Sequence, residues 1–333
     1  AFHHDLYRAV GKGRWWVMEQ QPGPVNWAPY NPAPLPGMVR LWAIEAAAHG
    51  AEVVSYFRWR QADFAQEQMH AGLLRPDDVP SPALAEAKSA TEVLNALPDP
   101  DNTPAQTAIL FDYTSAWMWA TLPQGADFDY FRLVFSAYRA LRRNGLSVDI
   151  LPPDSEDLSP YELILAPGIG TLPKDLAQRL AECNANVIAG PRTNLSTENH
   201  GLRVPLGPDL PGLDLSVSRV ESLPPAHKRP ANIGYIVHWT ETTEGGAPTR
   251  LATKDGQTIL SGTPNLSYLA AWPDDTLWDA ILTETAPALT PMPEGLRKRD
   301  TSTHTFLINY TAHTQTWNDH TIPACDVLIL PKP

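Results

Sequence analysis

The apolar and polar positions of the chain group into short strands and helices from the first residues onward. Residues 14–19, Arg-Trp-Trp-Val-Met-Glu, predict a short buried strand that ends on a carboxylate. A proline-rich loop runs from Gln20 to Gly37. A helix is expected from about Met38 to His49, with Gly50 placed to stop it. Val53 to Arg60 reads as a second strand. A loop bearing Glu67 and His70 then leads to a helix over roughly Ser81 to Leu97. Strand, helix, strand, helix, with long loops after the strands, is a parallel α/β pattern.

The segment Pro98-Asp99-Pro100-Asp101-Asn102 marks a boundary. After it a strand is expected at Thr107 to Phe111. Phe131, Val134, Phe135, Tyr138 and Leu141 hold a 3–4 spacing that predicts a helix over Asp129 to Asn144, stopped by Gly145. Strands near Val148–Leu151, Leu163–Ala166 and Asn186–Ala189, with a helix near Leu172–Glu182, complete what reads as an open doubly wound α/β sheet. From about Ser216 the pattern changes to short strands near Tyr235–Trp239, Gln257–Ser261, Leu266–Trp272, His304–Tyr310 and Val327–Leu330, interrupted by a helix over roughly Thr276 to Thr285. This predicts a small, mostly antiparallel β domain. The expected divisions are therefore residues 1–98, 104–215 and 216–333, an α/β chain overall.

Composition narrows the class. A length of 333 residues calls for two or three cores. No run of about 18 apolar residues occurs, so no membrane-spanning helix is expected. The net charge of −12 argues against nucleic acid as a partner, because phosphate binding needs basic patches. Two cysteines, Cys183 and Cys325, are too few for a disulfide framework or a zinc site; no metal and no cofactor are expected. The start, Ala1-Phe2-His3-His4, has no basic leader or apolar h-region, so with the cysteine usage a cytoplasmic setting is expected. Three Asn-x-Ser/Thr matches, at Asn194, Asn265 and Asn309, are then read as chance. Of 11 tryptophans, seven fall before residue 120, either as core packing or as sugar-stacking faces.

The most informative stretch is Trp15 to Trp27. A carboxylate, Glu19, at the end of a buried strand and followed by Gln-Gln-Pro-Gly would be costly there unless paired or opened to a cleft. The alternative is a capping or salt-bridging Glu. A second cluster is Tyr56 to Gln61 with Glu67 and His70. If residues 67–70 form one helical turn, Glu67 and His70 share a face, able to clamp hydroxyls, to bind a metal, or simply to face solvent as a pair.

Four motifs in order, Met18 to Gly23, Asn26-Trp27, Tyr56 to Gln61, and Glu67 to His70, resemble those of glycoside hydrolase family 42 β-galactosidases. The resemblance implies that residues 1–98 are the last two βα units of a (β/α)₈ barrel, followed by a flavodoxin- or amidotransferase-like trimerisation domain and a small β domain. In such a barrel, chemistry sits at the C-terminal strand ends and the loops after them, where Glu19, Phe57, Arg58, Glu67 and His70 fall. By resemblance, Glu19 is the nucleophile, Trp27 and Phe57 line the sugar subsite, Glu67 and His70 hold galactose hydroxyls, and Arg58 buttresses the carboxylates. The implied activity is removal of terminal β-D-galactosyl groups with retention, by a homotrimer.

Retention uses a second carboxyl about 5 to 5.5 Å from the nucleophile. The family's acid/base is a Glu in an Asn-Glu pair from the first half of the barrel, and no such pair precedes Glu19 here. A barrel takes about 250 residues, so the chain is expected to be an incomplete enzyme, inactive alone. The middle domain offers no Cys or Ser between Ala166 and Gly170, where amidotransferase-like relatives place a nucleophile, and reads as a non-catalytic assembly module. Two alternatives stay open: a non-catalytic sugar-binding or oligomerisation module, and a related barrel glycosidase acting on α-L-arabinosides or β-D-fucosides.

Overall fold

The computed structural model describes residues 1–99 and 103–332. Pro100 to Asn102 of the expected linker lie outside the described residues. The chain divides into two compact units, Ala1–Thr103 with Pro291–Pro333, and Pro104–Thr290.

The first unit begins with helix α1 (Phe2–Val10), strand β1 (Trp15–Gln20), helix α2 (Met38–Ala48), strand β2 (Ala51–Tyr56) and helix α3 (Pro82–Asn95). β1 and β2 pair in parallel as a two-stranded sheet, with α2 as their crossover. α2 is buried almost all round because it is packed on more than one side. Leu41 and Ile44 share a cluster with Ala90 of α3 and with Phe306, Ile308 and Val327 from the C-terminal strands. Its free N–H groups are met by a carboxylate from α3. Glu86 accepts from the backbone N–H of Gly37 (2.8 Å), Val39 (3.0 Å) and Arg40 (3.2 Å), an anion at the positive end of the helix. β2 stops at Tyr56, so Phe57 to Arg60 form loop rather than the expected strand continuation.

Phe2, Leu6 and Val10 stand four apart on α1, but the residues that it buries are mainly polar, His4, Asp5 and Arg8 beside Leu6. Asp5 is fully buried, and its Oδ1 lies 2.7 Å from His49 Nδ1 and 3.3 Å from Arg8 Nη2. Burial pushes the Asp5 carboxyl up, but His49, Arg299 and Arg8 more than offset this and hold it well below the usual range. Burial also drops His4 from 6.5 to about 3. Both shifts act in one direction. Between pH 6.5 and about 3 the unfolded chain takes up a proton that folded His4 refuses, and below the ordinary carboxylate range it takes up one that Asp5 refuses. The first unit is therefore expected to lose stability as pH falls from 7 to 4, by up to about 1.4 kcal/mol per pH unit for each group titrating. Urea midpoints at pH 7 and pH 4 measure this. His4→Phe should flatten the dependence, and equal slopes for the two proteins would contradict it.

The second unit contains β3 (Thr107–Leu110), α4 (Tyr113–Thr121), α5 (Tyr130–Arg143), β4 (Val148–Leu151), β5 (Leu163–Ala166), α6 (Lys174–Glu182) and β6 (Asn186–Ala189). It continues through β7 (Ser216–Ser222), β8 (Arg229–Pro230), β9 (Tyr235–Glu244), β10 (Thr249–Ala252), β11 (Thr258–Gly262), β12 (Leu266–Leu269), β13 (Ala271–Pro273) and α7 (Asp275–Thr285). Strands β4, β3, β5 and β6 are mutually parallel, as the pattern predicts. Asp112 and Asp129 cap α4 and α5 through the N–H groups of Thr114, Ser115 and Arg132.

The expected division at 215/216 does not separate two units. β12 pairs in parallel with β6, and β11 and β10 follow antiparallel, giving a seven-stranded sheet of order β10-β11-β12-β6-β5-β3-β4. All four residues of β12 are buried, which is the position of an inner strand rather than one wall of a small sandwich. β13, β9 and β7 form a second sheet in the same unit, with β8 on β9. From Pro291 the chain contributes to the first unit again, through β14 (Leu296–Asp300), β15 (His304–Asn309), β16 (Gln315–Trp317), β17 (His320–Ile322) and β18 (Asp326–Pro331). The small antiparallel sheet β14-β15-β18 is thus present, but only from residue 291 onward.

Candidate functional site

The C-terminal ends of β1 and β2 lie side by side, with Gln20 opposite Tyr56 and the Phe57 N–H donating to Gln20 O at 3.1 Å. The chain leaving β1 packs on the chain beyond β2. The Ala71 N–H donates to Pro24 O (2.9 Å), and Asn26 Nδ2 donates to Gln66 O (2.8 Å). Gly23 permits the approach: a Cβ there would stand 2.8 Å from the Ala71 Cβ. Residues 66–69 form a turn in which the His70 N–H donates to Glu67 O at 3.0 Å, but Glu67 is exposed and His70 buried, so the two do not present a shared open face.

This packing brings four of the five expected site residues into one connected set. Glu19 is exposed, and its Oε1 accepts from Gln21 Nε2 at 2.7 Å. The other end of the Gln21 amide, Oε1, is hydrogen-bonded to His70 Nε2, so that nitrogen carries the proton. His70 is buried, and its ring meets Phe57 edge to face at 5.0 Å. The Arg58 guanidinium lies over the Phe57 ring at 4.6 Å and is paired with Glu67. Trp27, the fifth, is 71 % exposed, and among the described residues no hydrogen bond or ring contact ties it to the other four.

Gln21 is the residue that reading by type did not single out. It is neither titratable nor nucleophilic, and its signal was its place in Glu-Gln-Gln-Pro-Gly. Its amide spans the distance between a carboxylate and an imidazole that do not touch, fixing the orientation of both. What the set offers is a carboxylate open to solvent, oriented by a neutral donor, beside an aromatic edge and an Arg–Glu pair. That suits nucleophilic or electrostatic work by the carboxylate. Among the described residues, no group of three or more His, Cys, Asp or Glu is placed to hold a metal ion. No helix among them is long and apolar enough to cross a membrane.

The sheet that carries the site is itself unusual. Trp16 (53 % exposed), Met18 (68 %) and Val53 (39 %) leave apolar surface open on its two strands, although parallel strands normally have both faces covered.

In the second unit, the Ser115 hydroxyl meets the turn that follows β5. It donates to Asp112 Oδ2 (2.7 Å), accepts from the Gly170 N–H (3.0 Å) and is buried. Those bonds make it structural.

Comparison with known proteins divides the chain near the same point, about residue 100. Residues 1–97 match the glycoside hydrolase 42 family described as "Beta-galactosidase", and residues 105–264 match the family described as "Beta-galactosidase trimerisation domain". A β-galactosidase of Thermus thermophilus is 47 % identical over 320 residues, which is 93 % of this chain and 50 % of that protein. The β-galactosidase Bga of Halorubrum lacusprofundi is 34 % identical, over 93 % of this chain and 49 % of its own length. A crystal structure of β-galactosidase from the psychrophilic Marinomonas ef1 superposes with a TM-score of 0.92 at 38 % identity, covering 100 % of this chain and 55 % of that one. The chain spans about half the length of the curated relatives it matches.

Proposed function

The chain belongs to the glycoside hydrolase family 42 β-galactosidases, and on that basis we propose that it carries the nucleophile half of a retaining exo-β-galactosidase. The observation that carries this reading is Glu19: a solvent-open carboxylate at a strand's C-terminal end, oriented by Gln21 and joined through it to His70. The open apolar surface of β1 and β2 supports a place for them as two strands of a larger closed barrel, with further strands covering Trp16, Met18 and Val53.

In the proposed reaction the Glu19 carboxylate forms a bond to the anomeric carbon as the bond to the leaving oxygen breaks. A second carboxyl, outside this chain, protonates that oxygen. Water then attacks the anomeric carbon, that same group takes its proton, and Glu19 is released. Gln21 donates to Glu19 throughout and keeps it aimed. Phe57 and the exposed Trp27 offer faces to the sugar, Glu67, held by Arg58, offers hydrogen bonds to its hydroxyls, and the buried His70 holds Gln21 in place. Residues 105–264 are the self-association part, in keeping with the trimerisation family that they match, and a homotrimer is the assembly we propose. Both cysteines are free, which supports a reducing, cytoplasmic setting.

Trapping tests the nucleophile. A 2-deoxy-2-fluoro-β-galactoside with a good leaving group, given to a version extended upstream to a full barrel, should label one site. Peptide mass mapping should find the fluorosugar on Glu19. A label on Glu67 or any other carboxyl sinks the assignment.

A further inference from the structure

Two helices of the second unit present aromatic rings to solvent where an amphipathic helix should present polar groups. On α4, Tyr113 is 44 % exposed and Trp117 66 %, four residues apart and so on one face. On α5, Phe131 is 42 % exposed and Phe135 45 %, again four apart. The rings are continuous: Tyr113 lies 6.5 Å from Trp117 and 6.1 Å from Phe131, and Phe111 beneath them lies 4.9 Å from Tyr113 and 5.4 Å from Phe131. Both helices already supply the core from other faces, through Met118 and Trp119 on α4 and Leu133, Val134, Ala137 and Leu141 on α5. The outer rings are therefore surplus to this unit's own core.

We infer that this aromatic face of α4 and α5 is a surface through which copies of this chain associate with one another. The inference rests on the reading of residues 105–264 as the self-association part, and it names the surface. At roughly 150–250 Å² per aromatic side chain, the exposed fractions of the four rings leave on the order of 400 Å² of contiguous apolar surface. That is as large as the biggest patch on a typical monomer. It is also about half of the roughly 800 Å² that each partner buries in a stable interface, the right share for its apolar centre. Exposed Arg132 and Arg139 on α5 supply a charged rim. In a closed three-fold ring each subunit needs two different faces, and this patch is one of them.

Light scattering and sedimentation of the 333-residue chain at micromolar concentration, beside Trp117→Ser/Phe131→Ser, give the test. The parent is expected to run as a trimer. The double variant, with unchanged helicity and melting, should run as a monomer with association weakened at least about thirtyfold, the loss of one strong hot-spot aromatic. If that variant folds poorly, Trp117→Arg at the 66 % exposed position carries the same expectation. Trp16→Ser/Met18→Ser, at the open strands of the first unit, should leave the trimer intact. A folded Trp117 variant of parental mass, or dissociation by the strand variant instead, overturns this surface while self-association stands. A parent that is monomeric even at about 100 µM overturns self-association itself, and this surface with it.

Discussion

Turnover of a chromogenic β-galactoside is expected to be undetectable for the 333-residue chain and restored when the chain is extended upstream to a full barrel. In that longer protein, Glu19→Ala should lower kcat by roughly 10⁴- to 10⁶-fold, the range seen when one member of a covalent catalytic unit is removed from other hydrolases. The first half of the expectation has two causes. Without a general acid the leaving oxygen departs unprotonated, which alone costs about 10² to 10⁴. Without the remaining strands, Glu19 stays open to water, where no enclosed pocket strengthens the developing charge interactions. The second half follows from the geometry of the set: Gln21 and His70 orient Glu19 but neither can replace it as an attacking group. An active short chain would mean that a general acid stands among these residues, and the half-enzyme reading would fall.

Much of the architecture was legible because it follows period and punctuation. β4, β5 and β6 lie where short apolar runs predict them, and α5 covers all but the ends of the stretch that its 3–4 spacing marks. Legibility failed where burial and polarity part company. α1 buries His4, Asp5 and Arg8 along with Leu6, so charged groups mask its buried face. α4, Tyr113-Thr114-Ser115-Ala116-Trp117-Met118-Trp119, is apolar on two faces at once, one packed and one open, and so shows no single stripe. The site was half legible. Residue type found Glu19, Glu67 and His70, but only the folded chain shows that an uncharged amide, Gln21, connects the first to the last. Strand partnership was the least legible feature, because a four-residue apolar run such as β12 carries no mark of which sheet it will enter.

That last feature has a physical cause, and a large stability effect should expose it. Glu241 on β9 is 1 % exposed and accepts three hydrogen bonds: from Trp239 Nε1 (3.0 Å), from Tyr268 OH on β12 (2.7 Å) and from the Arg192 N–H beyond β6 (3.1 Å). One carboxylate thus ties the β9 sheet to two neighbouring segments of the seven-stranded sheet, beside the β12–β6 pairing that joins residues after 216 to those before it. Beside it the Arg192 guanidinium lies over Trp119 (4.8 Å) and Trp239 (5.3 Å), a buried cation whose nearby anion is Glu241. Burial pushes the Glu241 carboxyl above its ordinary value despite the opposing pull of Arg192, Tyr268 and Trp239. Its contribution is therefore greatest below the ordinary carboxylate range and declines as pH rises through the folded value. Glu241→Ala strands three buried donors and one buried cation, and should cost the second unit about 3–5 kcal/mol. Glu241→Gln keeps an acceptor oxygen and should cost clearly less, with a weaker dependence on pH. Urea unfolding at pH 6 and pH 8, followed by Trp fluorescence, separates these outcomes. Were Glu241→Ala to unfold within about 0.5 kcal/mol of the parent, the tie between the two sheets would have to lie in their apolar contacts and in the other hydrogen bonds between them, such as Gln257 Nε2 to Thr240 Oγ1 (2.8 Å) and the Glu241 N–H to Ala270 O (2.7 Å).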